Sequence, residues 1–187
     1  MADKFISVEF DDRAIVKALQ ELQRATGDLT PAFNEIGERL VESTVHRFET
    51  STAPDGTPWA PNSQVTYEAY LDRRSGDYLD GKRVGDKKGY FRKDGRVSAR
   101  SAGILSSKKP LIDSGTLSEQ IHKNLIGGHT LEISSSMEYA AMQQFGGTRA
   151  EFPQLWGDIP ARPFLGISSE DEDVVLSIIK KYLEDGF

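Results

Sequence analysis

The chain contains no cysteine, which excludes disulfides, thiolate metal sites and cysteine nucleophiles. It has no stretch near the roughly 18 continuous apolar residues that a membrane-spanning helix needs, so no membrane association is expected. Its start, Met1-Ala2-Asp3-Lys4, leads into an alternating pattern and lacks the basic opening and apolar run of a signal peptide. Positive charge is also in deficit: 23 Lys and Arg stand against 29 Asp and Glu, a net charge of −6. That argues against a protein that coats nucleic acid over its whole surface. What is present is 187 residues, 37% hydrophobic and 28% charged. This is about one globular domain's worth of chain, long enough to bury a core.

The charge is unevenly spread. Residues 72–109 hold twelve Lys or Arg and five Asp or Glu, a net +7, so the remainder carries −13. The same stretch holds six of the 17 glycines, and its apolar residues follow neither a period of two nor one of 3.6. It reads as a long, basic, glycine-rich loop or loose hairpin arm, of a length that is usually functional or disordered. Arg73, Arg74, Lys82, Arg83, Lys87, Lys88, Arg92, Lys93, Arg96 and Arg100 are its candidate contacts with a partner. Tyr78, Tyr90 and Phe91 lie among them, as in a surface that stacks single-stranded bases. A nucleic-acid-binding module working through residues 72–109 is therefore one reading, with non-specific DNA contact as its weaker form.

Periodicity organises the rest. Alternation over residues 5–10 predicts a half-buried strand. Asp11 or Asp12 then caps a helix whose face carries Ile15, Val16, Leu19 and Leu22, and Thr26-Gly27-Asp28 ends it. A second helix, with Thr30 as cap and Pro31 at its first position, repeats Phe33, Ile36, Leu40, Thr44 and Phe48 as far as Glu49 or Thr50. Val41 and Val45 widen that stripe, while Glu35, Glu38, Arg39, Glu42 and Arg47 occupy the opposite face. Pro54-Asp55-Gly56-Thr57-Pro58-Trp59-Ala60-Pro61 can continue neither a helix nor a central strand. It must be an ordered turn around its tryptophan, and a short helix is expected over residues 63–71.

Beyond the basic stretch, residues 121–126 and 130–135 are short strands joined at Gly127-Gly128. Residues 137–145 form a short helix stopped by Gly146-Gly147. Residues 148–159 are irregular and contain Trp156. Residues 160–167 then lead, extended, into an edge strand, because prolines cannot donate to a ladder. The last helix opens on a capping box of Ser169 and Glu172 with acids at its positive end, and buries Val174, Val175, Ile178, Ile179, Tyr182 and Leu183. The whole is an α+β pattern: one domain over residues 1–187, with an arm inserted at about 72–109.

Little here points to catalysis. His46, His122 and His129 do not fall at metal-ligand spacings, and no metal or cofactor is expected. Ser114-Gly115 lacks the glycines of a nucleophile elbow. Ser114 reads as a turn or cap residue, with a hydrolase centred on Ser114 and a histidine as a weak third reading. The carboxylates at Asp11-Asp12 and residues 170–173 sit where helix starts want them. No phosphate-binding or dinucleotide fingerprint occurs, so no enzyme is expected.

Three segments, in order, carry a resemblance. The first is Asp55-Gly56-Thr57-Pro58-Trp59-Ala60-Pro61 after a long helix, and the second is Leu111-Ile112-Asp113-Ser114-Gly115-Thr116-Leu117. The third pairs Tyr139-Ala140-Ala141-Met142-Gln143-Gln144-Phe145-Gly146 with Ile159-Pro160-Ala161-Arg162-Pro163-Phe164-Leu165-Gly166-Ile167. Together they resemble the phage virion morphogenesis family, the group of the S-type tail completion proteins and the G protein of Mu-like phages. The likeness runs from about Phe33 to Leu183.

It implies a structural protein of the virion that completes or terminates the tail and supports head–tail joining. It further implies a homo-oligomeric ring, with six subunits expected, built on a small, mainly antiparallel sheet packed with helices. Its partners would be the tail tube or sheath and the neck or connector proteins. The basic stretch is longer than the family's usual connection at that place. On this reading Trp59, Trp156, Arg162 and Phe164 are candidate subunit or partner contacts. Aromatics in irregular segments often anchor contacts, although each tryptophan could equally plug its own domain's core edge. Arg162, set between prolines, suits a fixed ion pair with a neighbour. The basic arm of one subunit could lie on the acidic surface of the next.

Overall fold

The computed structural model describes residues 12–75, 78–79, 82–83, 102–103, 105–155 and 157–185. The strand expected over residues 5–10 lies outside them, as does Trp156. The chain divides into two compact units, one of residues 1–60 with 114–187 and one of residues 61–113.

In the first unit, α1 spans Arg13–Thr26. The Asp12 carboxylate accepts from the backbone N–H groups of Ala14 and Ile15 at 2.7 and 2.9 Å, which satisfies two donors that a helix start leaves free. Gly27 ends the helix in the left-handed region at φ 73°. Leu22 is buried and Ile15 and Leu19 pack beside the core, but Val16 is exposed. A second helix, α2, spans Thr30–Thr50. Thr30 is not its cap as expected: it is already helical, and its N–H donates to the Asp28 carboxylate at 2.8 Å. The buried row is the expected one, with Phe33, Ile36, Leu40, Thr44 and Phe48 inside. Arg47, expected on the outer face, is buried too.

A short helix, α4 (Thr116–Glu119), precedes strands β3 (Ile121–Ile126) and β4 (Thr130–Ser135). These pair antiparallel from Ile121 opposite Ser135 to Ile126 opposite Thr130. Gly127 and Gly128 turn the hairpin at φ 62° and 75°, angles that glycine takes without strain. The hairpin lies close on α2: a Cβ on Gly37 would come 2.8 Å from the Lys123 side chain and 3.1 Å from that of Leu131. Helix α5 (Ala140–Phe145) stops at Gly146, and α6 (Ser169–Asp185) closes the unit. The core joins Leu22 and Leu29 to the α2 row and to Val175, Ile178 and Ile179 of α6, with Leu125, Leu131 and Ile133 of the hairpin against it. This is the α+β arrangement of a small antiparallel sheet packed with amphipathic helices.

Two expectations about the C-terminal part are corrected. Residues 160–168 enter no strand; they bend at residues 165–166 and run directly into α6. The capping box sits one residue early. Ser168 and Asp171 exchange the reciprocal bonds, with the Ser168 N–H donating to Asp171 at 2.9 Å and the Asp171 N–H to the Ser168 hydroxyl at 3.2 Å.

The second unit contains α3 (Gln64–Ser75) and a minimal hairpin of β1 (Tyr78–Leu79) and β2 (Lys82–Arg83). Its Tyr70 and Leu71 are buried, and the Lys108 ammonium stands 4.6 Å above the Tyr70 ring. Helix α3 extends to Ser75, beyond the expected end at Leu71. Arg73 and Arg74 therefore belong to a helix, and Lys82 and Arg83 to β2. Lys87, Lys88, Arg92, Lys93, Arg96 and Arg100 lie outside the described residues. Among the described residues no helix is long and apolar enough to cross a membrane.

Candidate functional site

Two of the family-like segments, the tryptophan turn and the pair of residues 139–146 and 159–167, converge on one junction of the first unit, between the C-terminal end of α2, the turn that follows it, α5 and the strap of residues 160–168. Phe48, at the end of the α2 row, supplies its apolar centre. The Trp59 ring meets it edge-on and the Phe164 ring meets it tilted, both with centroids 5.4 Å away. Such geometries suit the ring quadrupoles. The turn is built to present Trp59. Ala53 donates to the Thr57 carbonyl at 2.8 Å, Trp59 donates to the Ser51 carbonyl at 2.8 Å, and the Asp55 carboxylate accepts from the Thr57 N–H at 2.9 Å. That last bond, with a smaller part from the Thr57 side chain, holds the Asp55 carboxyl below the usual carboxylate range.

The strap has no partner strand, and side chains bond much of its backbone instead. Four consecutive carbonyls accept from side chains. Trp59 Nε1 donates to Pro163 at 2.8 Å, Arg47 to Phe164 at 2.9 Å, Gln144 Nε2 to Leu165 at 2.9 Å and Arg47 again to Gly166 at 2.9 Å. The Gln144 carbonyl in turn accepts the N–H groups of Phe164 and Leu165 at 2.9 and 3.0 Å. One amide side chain thus does the work of a neighbouring strand. This is why the stretch needs no ladder, although its prolines suggest an edge strand.

Arg47 and Asp171 form the junction's electrostatic centre. They are 5% and 7% exposed and pair directly. Burial pulls the Arg47 guanidinium below its ordinary value and the Asp171 charge partly restores it. The guanidinium spends its donors on Asp171, two strap carbonyls and the Ser43 hydroxyl, as a buried charge requires. The sequence reading missed this residue. Its only local signal is a charge near the buried row of α2, and that signal is shared with ordinary surface positions.

The sequence-predicted contacts fall as follows. Trp59, Arg162 and Phe164 are all buried at this junction. Arg162 Nε donates to the Ala60 carbonyl and its N–H to the Gln143 carbonyl, at 2.8 and 2.7 Å. Trp156 is outside the described residues. Ser114 bonds to the Thr116 hydroxyl at 2.6 Å. The histidines have local partners: Glu49 for His46, Gln120 for His122 and the Gly127 carbonyl for His129. The structure does not bring any of them to Ser114. Among the described residues no three His, Asp or Glu side chains are grouped to hold a metal ion.

Comparison with known proteins follows the same segments. The model of the phage virion morphogenesis family matches residues 10–95 and 88–184. Tail completion protein S of Escherichia phage P2 is 27% identical over 151 residues, which cover 80% of this chain and 81% of that protein. No solved structure matches.

Proposed function

The chain belongs to the phage virion morphogenesis family, and from that premise we propose that it completes or terminates the phage tail and supports head–tail joining as a homo-oligomeric ring of six subunits. The observation that carries the reading is the extent of the family match, which runs across both compact units. Tail completion is the role that the phage P2 relative is named for.

The junction supports a scaffold role. Its polar side chains are occupied in holding backbone, which suits a rigid part that must present fixed faces. Trp59, Arg162 and Phe164 then serve the ring from inside, by fixing the strap. Tyr139, Phe145 and Phe152 are exposed, and they offer apolar area that association would cover. The partners are further copies of the chain together with tail tube or sheath and neck or connector proteins, and the place of action is the virion. Beyond its charge and the aromatics among it, no observation favours the nucleic-acid reading of residues 72–109.

Native mass spectrometry and light scattering test the proposal, together with imaging of the assembled particle with this chain located in it. Six-subunit particles, and density for the chain at the tail end, are expected. A strictly monomeric protein that binds no tail or neck component would overturn it.

A further inference from the structure

A cleft of about 670 Å³ opens between the turn at residues 54–56 and the start of α6. Ala53, Pro54, Pro163 and Ile167 give it an apolar floor, and Asp55 and Glu170 stand on its rim. Both acids are exposed, and neither has a cationic partner among the ion pairs of the described residues. The walls are preset. The strap is pinned through four carbonyls, and it passes so close to the turn that a Cβ on Gly166 would lie 2.7 Å from the Pro54 ring. A preformed cleft spares an incoming segment much of the ordering cost of binding.

The same chain carries a segment with the inverse pattern. Residues 84–101 lie outside the described structure, and within them Lys87-Lys88-Gly89-Tyr90-Phe91-Arg92-Lys93 places two aromatics between two basic pairs. Residues 84–101 hold six Lys or Arg and two Asp, a net +4. We infer that the cleft receives residues 87–93 of a second copy of this chain, with the rings on the apolar floor and the basic pairs at Asp55 and Glu170. The inference rests on the self-assembly reading above and names one of its contacts. A receptor on one copy and a donor on the next make a head-to-tail contact, the kind that closes into a ring. A segment docked on its own copy would use up both halves and leave nothing to propagate.

The absence of cysteine makes the test clean. Ser169→Cys places a thiol at the cleft and Gly89→Cys places one in the segment. When the two single variants are mixed and oxidised, a disulfide-linked dimer should form, and Ser169→Cys alone should give none. Reversing the rim with Asp55→Lys and Glu170→Lys should cut the yield by about tenfold, and Lys88→Glu with Lys93→Glu should restore it. Light scattering on the unaltered protein separates the two readings. Assembled protein without the linked dimer overturns this contact alone. So does a doubly substituted chain (Ser169→Cys with Gly89→Cys) that links only within itself. Protein that never assembles overturns the self-assembly reading and this contact with it.

Discussion

Arg47 sits in the interior with three kinds of partner: a carboxylate, two backbone carbonyls and a serine hydroxyl. Removing one side of such a pair leaves a buried charge uncompensated, which costs about 3–5 kcal/mol. Asp171→Ala should therefore lower stability by about that much in urea unfolding. Asp171 also carries the capping box, so part of the loss will appear as fraying at the start of α6. An apolar double replacement, Arg47→Met with Asp171→Leu, will not return to the original stability, because the Phe164 and Gly166 carbonyls lose their donors.

Acid should act elsewhere. The Asp28 and Asp55 carboxyls sit below their ordinary value of 3.8, chiefly because the N–H groups of Thr30 and Thr57 donate to them. The folded state therefore binds their protons less tightly than the unfolded chain does. The stability this gives is fully present above 3.8 and is lost as the pH falls through the lower folded values. Melting temperatures should drop on that acid side, and Asp28→Asn should flatten the drop. An unchanged acid limb in that variant would show that the Thr30 bond contributes nothing.

At the scale of elements, the strap is held by α2, the turn and α5 in place of a neighbouring strand. Gln144→Leu would orphan two N–H groups and a carbonyl in a buried place, at about 1–3 kcal/mol for each group left unsatisfied. Limited proteolysis should then cut within residues 160–168 before it cuts elsewhere in the first unit. Gly146→Ala meets a harder obstacle. Gly146 has φ 73° and ψ −175°, a region essentially reserved for glycine, and its Cβ would lie 2.7 Å from the Ala161 nitrogen. It should destabilise by at least about 2 kcal/mol, with α5 and the strap losing protection together in hydrogen exchange.

Helices α1, α2 and α6 and the β3–β4 hairpin were legible in the sequence because their signals are local: a three-and-four repeat over Phe33 to Phe48, and a glycine pair between two strands. The strap was not, because its partners Arg47, Trp59 and Gln144 lie 20 to 119 residues away. The capping box slipped for a similar reason. Ser168 and Ser169 each have an acid three residues on, so the local pattern is degenerate, and Arg47 selects Asp171 from the far side of the junction. The cleft was equally hidden, since its floor and rim come from segments over a hundred residues apart.

For the whole molecule, two forces separate cleanly. The core of the first unit is built from apolar side chains on α1, α2, α6 and the hairpin, and burial of that kind is not screened by ordinary salt. Charge is distributed otherwise: −13 outside residues 72–109 and +7 within them. If contact between copies sets the basic segment against the acidic remainder, its strength must follow the screening length, which falls from about 10 Å at 0.1 M salt to about 3 Å at 1 M. The particle mass from light scattering should then decline over that range while the melting temperature of the fold holds or rises. Replacing Lys87, Lys88, Arg92 and Lys93 by Gln should lower the mass at low salt and remove most of the remaining salt dependence, because the charges that salt screens are already gone. A salt-independent mass would assign assembly to the exposed apolar side chains instead, with Phe145, at 64% exposure, the first to substitute.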